Sequence, residues 1–131
     1  MRAKFAKTHR FHEDQVCAFA TQTGDTNPLH HDADIASLSR YKKLIVSGTH
    51  TTALILGLTA SHYSQGYSVV GVSFGVEFKR PVFADACAHI EWEVVATTMV
   101  RENVQQVEMR VGMNDESGAL CVGATGECAS A

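Results

Sequence analysis

Residues 49–63, THTTALILGLTASHY, decide the fold, because the helix that they predict is apolar on nearly every side. The apolar residues crowd its middle: Ala53, Leu54, Ile55, Leu56 and Leu58. A helix with no clear polar face has to be covered by other parts of the protein. The stretch is too short to span a membrane, which takes ~20 apolar residues, so the rest of the chain must cover it.

The second half of the chain alternates apolar and polar residues with a period of two, as half-buried strands do. The clearest case is HIEWEVV, where Ile90, Trp92 and Val94 share one face. The predicted strands cover residues 68–83, 89–95, 104–113 and 119–129. Short connections, such as NDESG at 114–118, favour three or four long strands in an antiparallel sheet.

Two more helices are predicted before the central one. Residues 13–23 place Val16, Phe19 and Ala20 on one face, and Gly24 then stops the helix. A short helix over 33–39 follows, capped by Asp32. We therefore expect an α+β domain in which a curved antiparallel sheet wraps around the helix at 49–63. No linker or internal repeat interrupts the pattern, so residues 1–131 are expected to form a single domain.

Composition and charge exclude several classes of protein. Of the 131 residues, 45% are hydrophobic and 19% are charged, which is typical of a soluble globular protein. The net charge of -3 and the absence of a basic run argue against a nucleic-acid partner. Lys79-Arg80 is a basic pair of the kind that usually lies on a solvated surface, although it could meet an anionic ligand.

The termini and the cysteines indicate where the protein works. The first ten residues lack the apolar section of a secretory signal, and no segment predicts a membrane span. The four cysteines have no CxxC spacing, which favours free thiols over disulfides or a zinc site. Free thiols persist in a reducing compartment, so we expect a cytoplasmic location.

The loop GDTNPLHHD, residues 24–32, concentrates groups that handle protons. Pro28 fixes its own φ angle and keeps Asn27 out of the helical region, so the chain bends between Asp25 and His30. A bend of this kind lets a carboxylate and an imidazole face one point and hold a water molecule, from which one group removes a proton while the other delivers one. A loop stabilised by its own side chains is the plainer interpretation. Metal binding is a third, although no HExxH motif or second ligand cluster accompanies the loop.

A longer stretch around this loop, FATQTGDTNPLHHDADIASLSRYKKLIVSGTHTTALILGL at 19–58, resembles the hydratase motif of the MaoC-like, (R)-specific enoyl-CoA hydratases, which have the hot-dog fold. The matching positions are Phe19, Ala20, Gly24, Asp25, Asn27, Pro28, Leu29, His30, Asp32, Ile45, Val46 and Gly48. The segment VEFKRPVFADA, at 76–86, also resembles a conserved region of that family. The resemblance covers most of the chain and agrees with the architecture expected from periodicity.

The resemblance implies a hydro-lyase of fatty acid metabolism. It implies hydration of a trans-2-enoyl-CoA to the (R)-3-hydroxyacyl-CoA, or the reverse dehydration, with Asp25 and His30 holding the water. It assigns the oxyanion donor to the backbone N–H of Gly57, and Asn27 would orient the loop or the water. It implies no cofactor and no metal, an acyl thioester of CoA or of an acyl carrier as substrate, and a homodimer or a dimer of dimers.

The chain departs from the family pattern at two places. Ser47-Gly48-Thr49 stands where the family usually has His-Gly-Met, and Asp85-Ala86 replaces a Gly-Asp pair. Residues 47–49 are therefore candidates for the substrate pocket, and a shorter or more polar acyl chain is one hypothesis. Two alternatives stay open at this stage: a hot-dog acyl-CoA thioesterase, and a non-catalytic protein that binds acyl-CoA or an acyl carrier.

Overall fold

A computed structural model of the protein describes residues 4–64 and 68–130. In chain order its elements are β1 (Lys4–Arg10), α1 (Glu13–Gln22), a 3₁₀ turn (Pro28–His30), α2 (Ala33–Leu38), α3 (Gly48–Tyr63), β2 (Val69–Phe78), β3 (Cys87–Arg101), β4 (Val104–Asn114) and β5 (Leu120–Ser130). The strands form one antiparallel sheet in the order β1-β3-β4-β5-β2. The predicted α+β hot-dog architecture, a sheet around a central helix, is confirmed.

Helix α3 lies against the sheet with the side chains that recur at helical spacing. Thr51, Ile55 and Thr59 are buried at every fourth position, and Ile55 belongs to the main hydrophobic cluster. Ala53 and Gly57 lie on the opposite side and are exposed in the single chain. The prediction that the helix is covered all round is therefore correct for the face toward the sheet and wrong, in one chain, for the face away from it.

The central strands have the alternation that the sequence predicts. Ile90, Trp92 and Val94 of β3 are buried, and so are Met109 and Val111 of β4. All of these except Val94 form one cluster with Ile55 of α3, and this cluster also receives side chains from α1 and β5. At ~25 cal/mol per Å² of apolar area, burial of this cluster is the main stabilising contribution to the fold.

A hydrogen bond between two buried polar groups joins α3 to β3. The indole Nε1–H of Trp92 donates to Thr59 Oγ1 at 2.7 Å, and the Thr59 hydroxyl donates to the Ile55 carbonyl at 2.7 Å. Both polar atoms are thus satisfied inside the core, which avoids the cost of ~1–3 kcal/mol for an unpaired buried group.

Strand β1 was not predicted, and the sheet has five strands where three or four were expected. Most of β1 is exposed, and a single large apolar residue, Phe5, anchors it. The Phe5 ring stacks between His62 and Trp92, with ring centroids 3.6 and 4.6 Å away. A strand held by one aromatic ring has too little alternation to be recognised in the sequence.

Strand β2 is shorter and less regular than predicted. The expected strand ran from 68 to 83, but β2 ends at Phe78, because the N–H groups of Lys79 and Arg80 both turn to the Cys121 carbonyl. Its pairing with β5 shifts between Gly71 and Ser73, as in a β-bulge. The bulge leaves Val70 and Val72 exposed, so the apparent alternation through residues 70–78 is broken. Within the described ranges, no helix is long and apolar enough to cross a membrane.

Candidate active site

Asp25 is placed by the end of α1. Gly24 adopts φ +77°, a left-handed conformation that glycine tolerates best, and its N–H donates to the Thr21 carbonyl at 3.1 Å. The Asp25 N–H then donates to the Ala20 carbonyl at 2.9 Å. The predicted stop at Gly24 is confirmed, and it sets the Asp25 carboxylate directly after the helix.

Asn27 and Pro28 turn the chain from Asp25 toward His30. Asp25 Oδ1 accepts the Asn27 N–H at 3.0 Å, and Asn27 Oδ1 accepts the Leu29 N–H at 3.1 Å. Pro28 opens the 3₁₀ turn that ends at His30, where its fixed φ angle and missing N–H cost nothing. Since the Asn27 side-chain oxygen is engaged by the loop backbone, Asn27 is placed to orient the loop.

The structure brings Asp25 and His30 together. Asp25 Oδ2 lies 3.6 Å from His30 Nε2, which is too long for a hydrogen bond between them and short enough for both to contact a third atom. The His30 residue is 6% exposed, and the Asp25 side chain is 32% exposed. The pair therefore consists of a buried imidazole and a partly solvated carboxylate.

The second ring nitrogen of His30 is fixed by the backbone. His30 Nδ1 lies 2.7 Å from the Ile45 carbonyl oxygen. A carbonyl can only accept, so Nδ1 carries the hydrogen and donates it. In the neutral ring, Nε2 then presents its lone pair toward Asp25 Oδ2.

The polar residues that follow His30 in the loop, His31 and Asp32, bond the backbone. His31 Nε2 bonds the Asp25 carbonyl oxygen at 2.6 Å, so the two adjacent histidines point in different directions. Asp32 Oδ1 accepts the N–H groups of Asp34 and Ile35, which confirms its interpretation as the cap of α2. Among residues 4–64 and 68–130, no three His, Cys, Asp or Glu side chains are grouped so that they could hold a metal ion.

The Cys17 thiol lies close to His30 but bonds its backbone instead of its ring. Cys17 Sγ donates to the His30 carbonyl at 3.3 Å. Burial raises the pKa of the Cys17 thiol, and the carboxylates of Glu13 and Asp14 raise it further. A thiol with a raised pKa is a poor nucleophile, so Cys17 is not favoured in that role.

His30 lines a cavity of about 470 Å³. Apolar side chains form part of its wall, including those of Ile45, Val82 and Phe78. Gly48, the first residue of α3, lines the same cavity. Arg40, Lys79 and Arg80 also line it and are exposed, so this end of the cavity is open to solvent and basic.

The residues predicted for the substrate pocket differ in position. Ser47 is buried and caps α3, since its Oγ accepts the His50 N–H at 3.2 Å. Gly48 lines the cavity, whereas Thr49 is exposed and does not. In the described part of the chain, the N–H groups of Gly48 and Thr49 have no hydrogen-bond acceptor, as is normal for the first residues of a helix.

Gly57 is not brought to the pair. It lies in the middle of α3, where its N–H is used by the bond to the carbonyl four residues earlier. It is exposed, and a Cβ built there would meet nothing within 4 Å. The expectation of an oxyanion donor at Gly57 therefore conflicts with the geometry, because a glycine in mid-helix has no free N–H to offer.

Comparison with known proteins identifies the family. Residues 1–117 match the family model described as a MaoC like domain. The chain belongs to the MaoC-like dehydratase family. A curated relative of this MaoC-like protein, the (R)-specific enoyl-CoA hydratase of Aeromonas caviae, is 32% identical over 126 residues, which are 96% of this chain and 88% of the relative.

Solved structures place the MaoC-like protein in the same fold. The (R)-hydratase from A. caviae involved in PHA biosynthesis superimposes with a TM-score of 0.82 at 28% identity, covering 96% of this chain and 92% of that one. The unliganded R-hydratase PhaJ1 from Pseudomonas aeruginosa gives 0.82 at 26% identity, covering 98% and 78%. These names are those of hydratases, and they support a hydro-lyase.

Proposed function

We propose that the protein adds water to a trans-2-enoyl-CoA to give the (R)-3-hydroxyacyl-CoA, and that it catalyses the reverse dehydration. The observation that carries the proposal is the 3.6 Å approach of Asp25 Oδ2 and His30 Nε2 beside the cavity. The hydratase names of the relatives support the same reaction.

The substrate needs little besides an activated water molecule. Its thioester carbonyl is conjugated with the double bond, so the β carbon is electrophilic. When the water oxygen bonds to that carbon, electron density moves to the thioester oxygen, and a proton added to the α carbon completes the reaction. One molecule of water is consumed, and no electrons are exchanged with a cofactor.

His30 and Asp25 share the water in this mechanism. The water donates to Nε2 and to Asp25 Oδ2, and it loses one proton to Nε2 as its oxygen attacks. The Ile45 carbonyl and the Asp25 carboxylate stabilise the imidazolium, one at each ring nitrogen. The imidazolium then gives a proton to the α carbon from the same side. Because the bound water attacks only one face of the double bond, a single enantiomer of the 3-hydroxy product forms.

The developing negative charge requires a donor, and we place it at the start of α3. Neither the Gly48 N–H nor the Thr49 N–H is paired with any residue that the structure describes, and the N-terminus of a helix favours negative charge. A side chain at position 48 would collide with the Phe78 ring, because a Cβ there would lie 2.9 Å from Phe78 Cε1. Gly48 lines the same cavity as His30, so we assign the contact with the thioester oxygen to its N–H.

The test is hydration of crotonyl-CoA by Asp25→Asn and His30→Ala, followed as loss of the conjugated enoyl absorbance. Each change removes a positioned acid–base group, so we expect kcat/KM to fall by ~10²–10⁴-fold. Asp34→Asn and His12→Ala are matched controls, because both residues are exposed and lie outside the cavity. Near-normal rates in folded Asp25 and His30 variants would contradict the mechanism.

Product analysis separates the proposal from the alternatives. Chiral chromatography of the product should give the (R) enantiomer. A thioesterase would release free CoA thiol from the same substrate, and a non-catalytic binding protein would bind crotonyl-CoA without consuming it. Either result would replace hydration as the function.

We also propose that the protein works as a homodimer or a dimer of dimers. Strand β2 is at the edge of the sheet, and it exposes Val70 and Val72. Unprotected edge strands with apolar side chains tend to pair with another chain. The exposed face of α3 near Gly57 offers a second surface that a partner copy would cover.

A further inference from the structure

Three basic side chains share the cavity with His30. Arg40 comes from the segment after α2, and Lys79 and Arg80 follow β2. No Asp or Glu is among the described residues that line this cavity, although the chain as a whole carries a net charge of -3. A basic lining in an acidic protein indicates an anionic ligand at this end of the cavity.

The two arginines are available for such a ligand to different degrees. Arg40 is held against Tyr41, since its Nη2 donates to the Tyr41 hydroxyl at 2.6 Å and its guanidinium lies 4.8 Å from the ring centroid. That single bond leaves most of its donors unused. The Arg80 guanidinium forms no hydrogen bond with any described residue, and its backbone is fixed by the Cys121 carbonyl. Its charge also acts on the Asp115 carboxylate and helps to lower the pKa of that group. Lys79 is partly neutralised by its ion pair with Glu77.

The reacting part of an enoyl thioester gives these arginines nothing to bind. The acyl chain is apolar, the thioester is uncharged, and the water is bound at the buried end of the cavity by the pair. The arginines are exposed and lie at the open end. The carrier of the thioester extends out of the cavity through that end. In both CoA and acyl carrier proteins, the pantetheine arm of the carrier is attached to a phosphate.

We propose that Arg40 and Arg80 bind the phosphate of the carrier that delivers the thioester. The inference rests on the proposed function and adds to it the site that recognises the carrier. Guanidinium groups bind phosphate oxygens through two parallel hydrogen bonds, which suits this ligand better than the paired Lys79 does.

The experiment compares crotonyl-CoA with crotonyl-pantetheine, which has the same reacting part and no phosphate. For Arg40→Gln and Arg80→Gln we expect KM for crotonyl-CoA to rise about tenfold each, because each change removes a charge-assisted hydrogen bond to phosphate, with kcat within about twofold. Kinetics with crotonyl-pantetheine should not change. Arg101→Gln, at the far end of β3, is the matched control and should behave as wild type.

Two further measurements separate the sources of the phosphate and the two proposals. Crotonyl-4′-phosphopantetheine carries the phosphate common to both carriers. If its KM is near that of crotonyl-CoA, the arginines bind that phosphate. If its KM is near that of crotonyl-pantetheine, they bind the nucleotide phosphates of CoA.

Calorimetry with free CoA and with pantetheine measures binding without turnover. If wild type hydrates neither thioester but binds CoA through the arginines, the proposed function fails and this inference stands. Equal losses on crotonyl-pantetheine, or equal binding of CoA and pantetheine by wild type, would overturn it.

Discussion

At the scale of single residues, the backbone of Ile45 orients the imidazole of His30. Its carbonyl accepts the His30 Nδ1–H at 2.7 Å, and its own N–H donates to the Leu29 carbonyl at 3.0 Å. Ile45 is itself held by an antiparallel bridge to Phe83. The imidazole is thus oriented by backbone groups that no conservative substitution at position 45 would remove.

His50 makes stability depend on pH. Its ring stacks on Phe19 at 4.4 Å, and its buried Nδ1 has no hydrogen-bond partner among the described residues. Burial lowers the pKa of His50, and nearby His9 lowers it further. An unfolded histidine takes up its proton near pH 6.5, so between that value and the lowered one the unfolded chain binds more protons. Stability is therefore complete above about pH 6.5 and is lost as the pH falls below it.

The measurement is urea unfolding followed by circular dichroism at several values between pH 7.5 and pH 5.5. We expect the midpoint to fall with pH in wild type and to fall less in His50→Phe, which keeps a ring and removes the titration. His89→Gln removes an exposed histidine of β3 and should keep the wild-type dependence. An unchanged slope in His50→Phe would contradict this assignment.

The sequence predicts that Asp25 and His30 come together, but it does not predict which backbone groups orient them. Asn27-Pro28 is a local signal, so the approach of Asp25 to His30 follows from it. The Ile45 carbonyl leaves no signal, since every residue has one. The resemblance assigns the oxyanion donor to Gly57, but the N–H groups that are free in a helix belong to its first turn. Ser47-Gly48, a cap followed by a residue without a side chain, was the signal that pointed to that turn.

At the scale of elements, a glycine of β5 makes room for a side chain of β2. A Cβ built at Gly126 would lie 2.1 Å from Phe74 Cδ1, so the Phe74 ring occupies the space that a side chain would need. Gly126 pairs directly with Phe74 in the sheet. The Gly-rich pattern of β5 thus has a packing reason at this position, and periodicity alone cannot distinguish it from a turn.

We expect Gly126→Ala to destabilise the protein by ~1–3 kcal/mol, because the Phe74 ring must leave its position. Gly123→Ala is the control on the same strand, where the nearest atom to the added Cβ is 4.0 Å away. Thermal melting followed by circular dichroism compares the two. Equal melting temperatures would show that the ring moves without cost.

The periodic elements were predictable because their signals are long. Helix α3 and strands β3 and β4 each repeat a burial pattern several times, so their bounds agree to within a few residues, except that β3 continues to Arg101. Strand β1 depends on contacts that Phe5 makes with residues over fifty positions away. The bulge in β2 depends on its pairing with β5, which the β2 sequence alone does not contain.

At the scale of the whole molecule, the surface of β2 predicts how copies associate. Val70 and Val72 are 65% and 52% exposed, on an edge strand with no further strand beside it in the described structure. Replacing both with lysine places charges where a partner strand would pack, which is how natural edges avoid pairing.

Sedimentation velocity measures the outcome. We expect wild type to sediment as a dimer or larger, and Val70→Lys/Val72→Lys to shift toward the monomer. Leu38→Lys, on α2 and 85% exposed, is the control and should leave the assembly unchanged. A wild-type protein that sediments as a monomer at micromolar concentration would contradict the proposed assembly.

The protein carries its own optical reporter of folding. Trp92 is its single tryptophan and is 1% exposed, with Phe5 of β1 stacked on one face and Thr59 of α3 accepting from its indole nitrogen. An indole in a dry, rigid environment emits at short wavelength, and water shifts the emission to the red. Because three elements from distant parts of the chain meet at this one fluorophore, a loosening of any of them changes the same signal, and unfolding can be followed without a label.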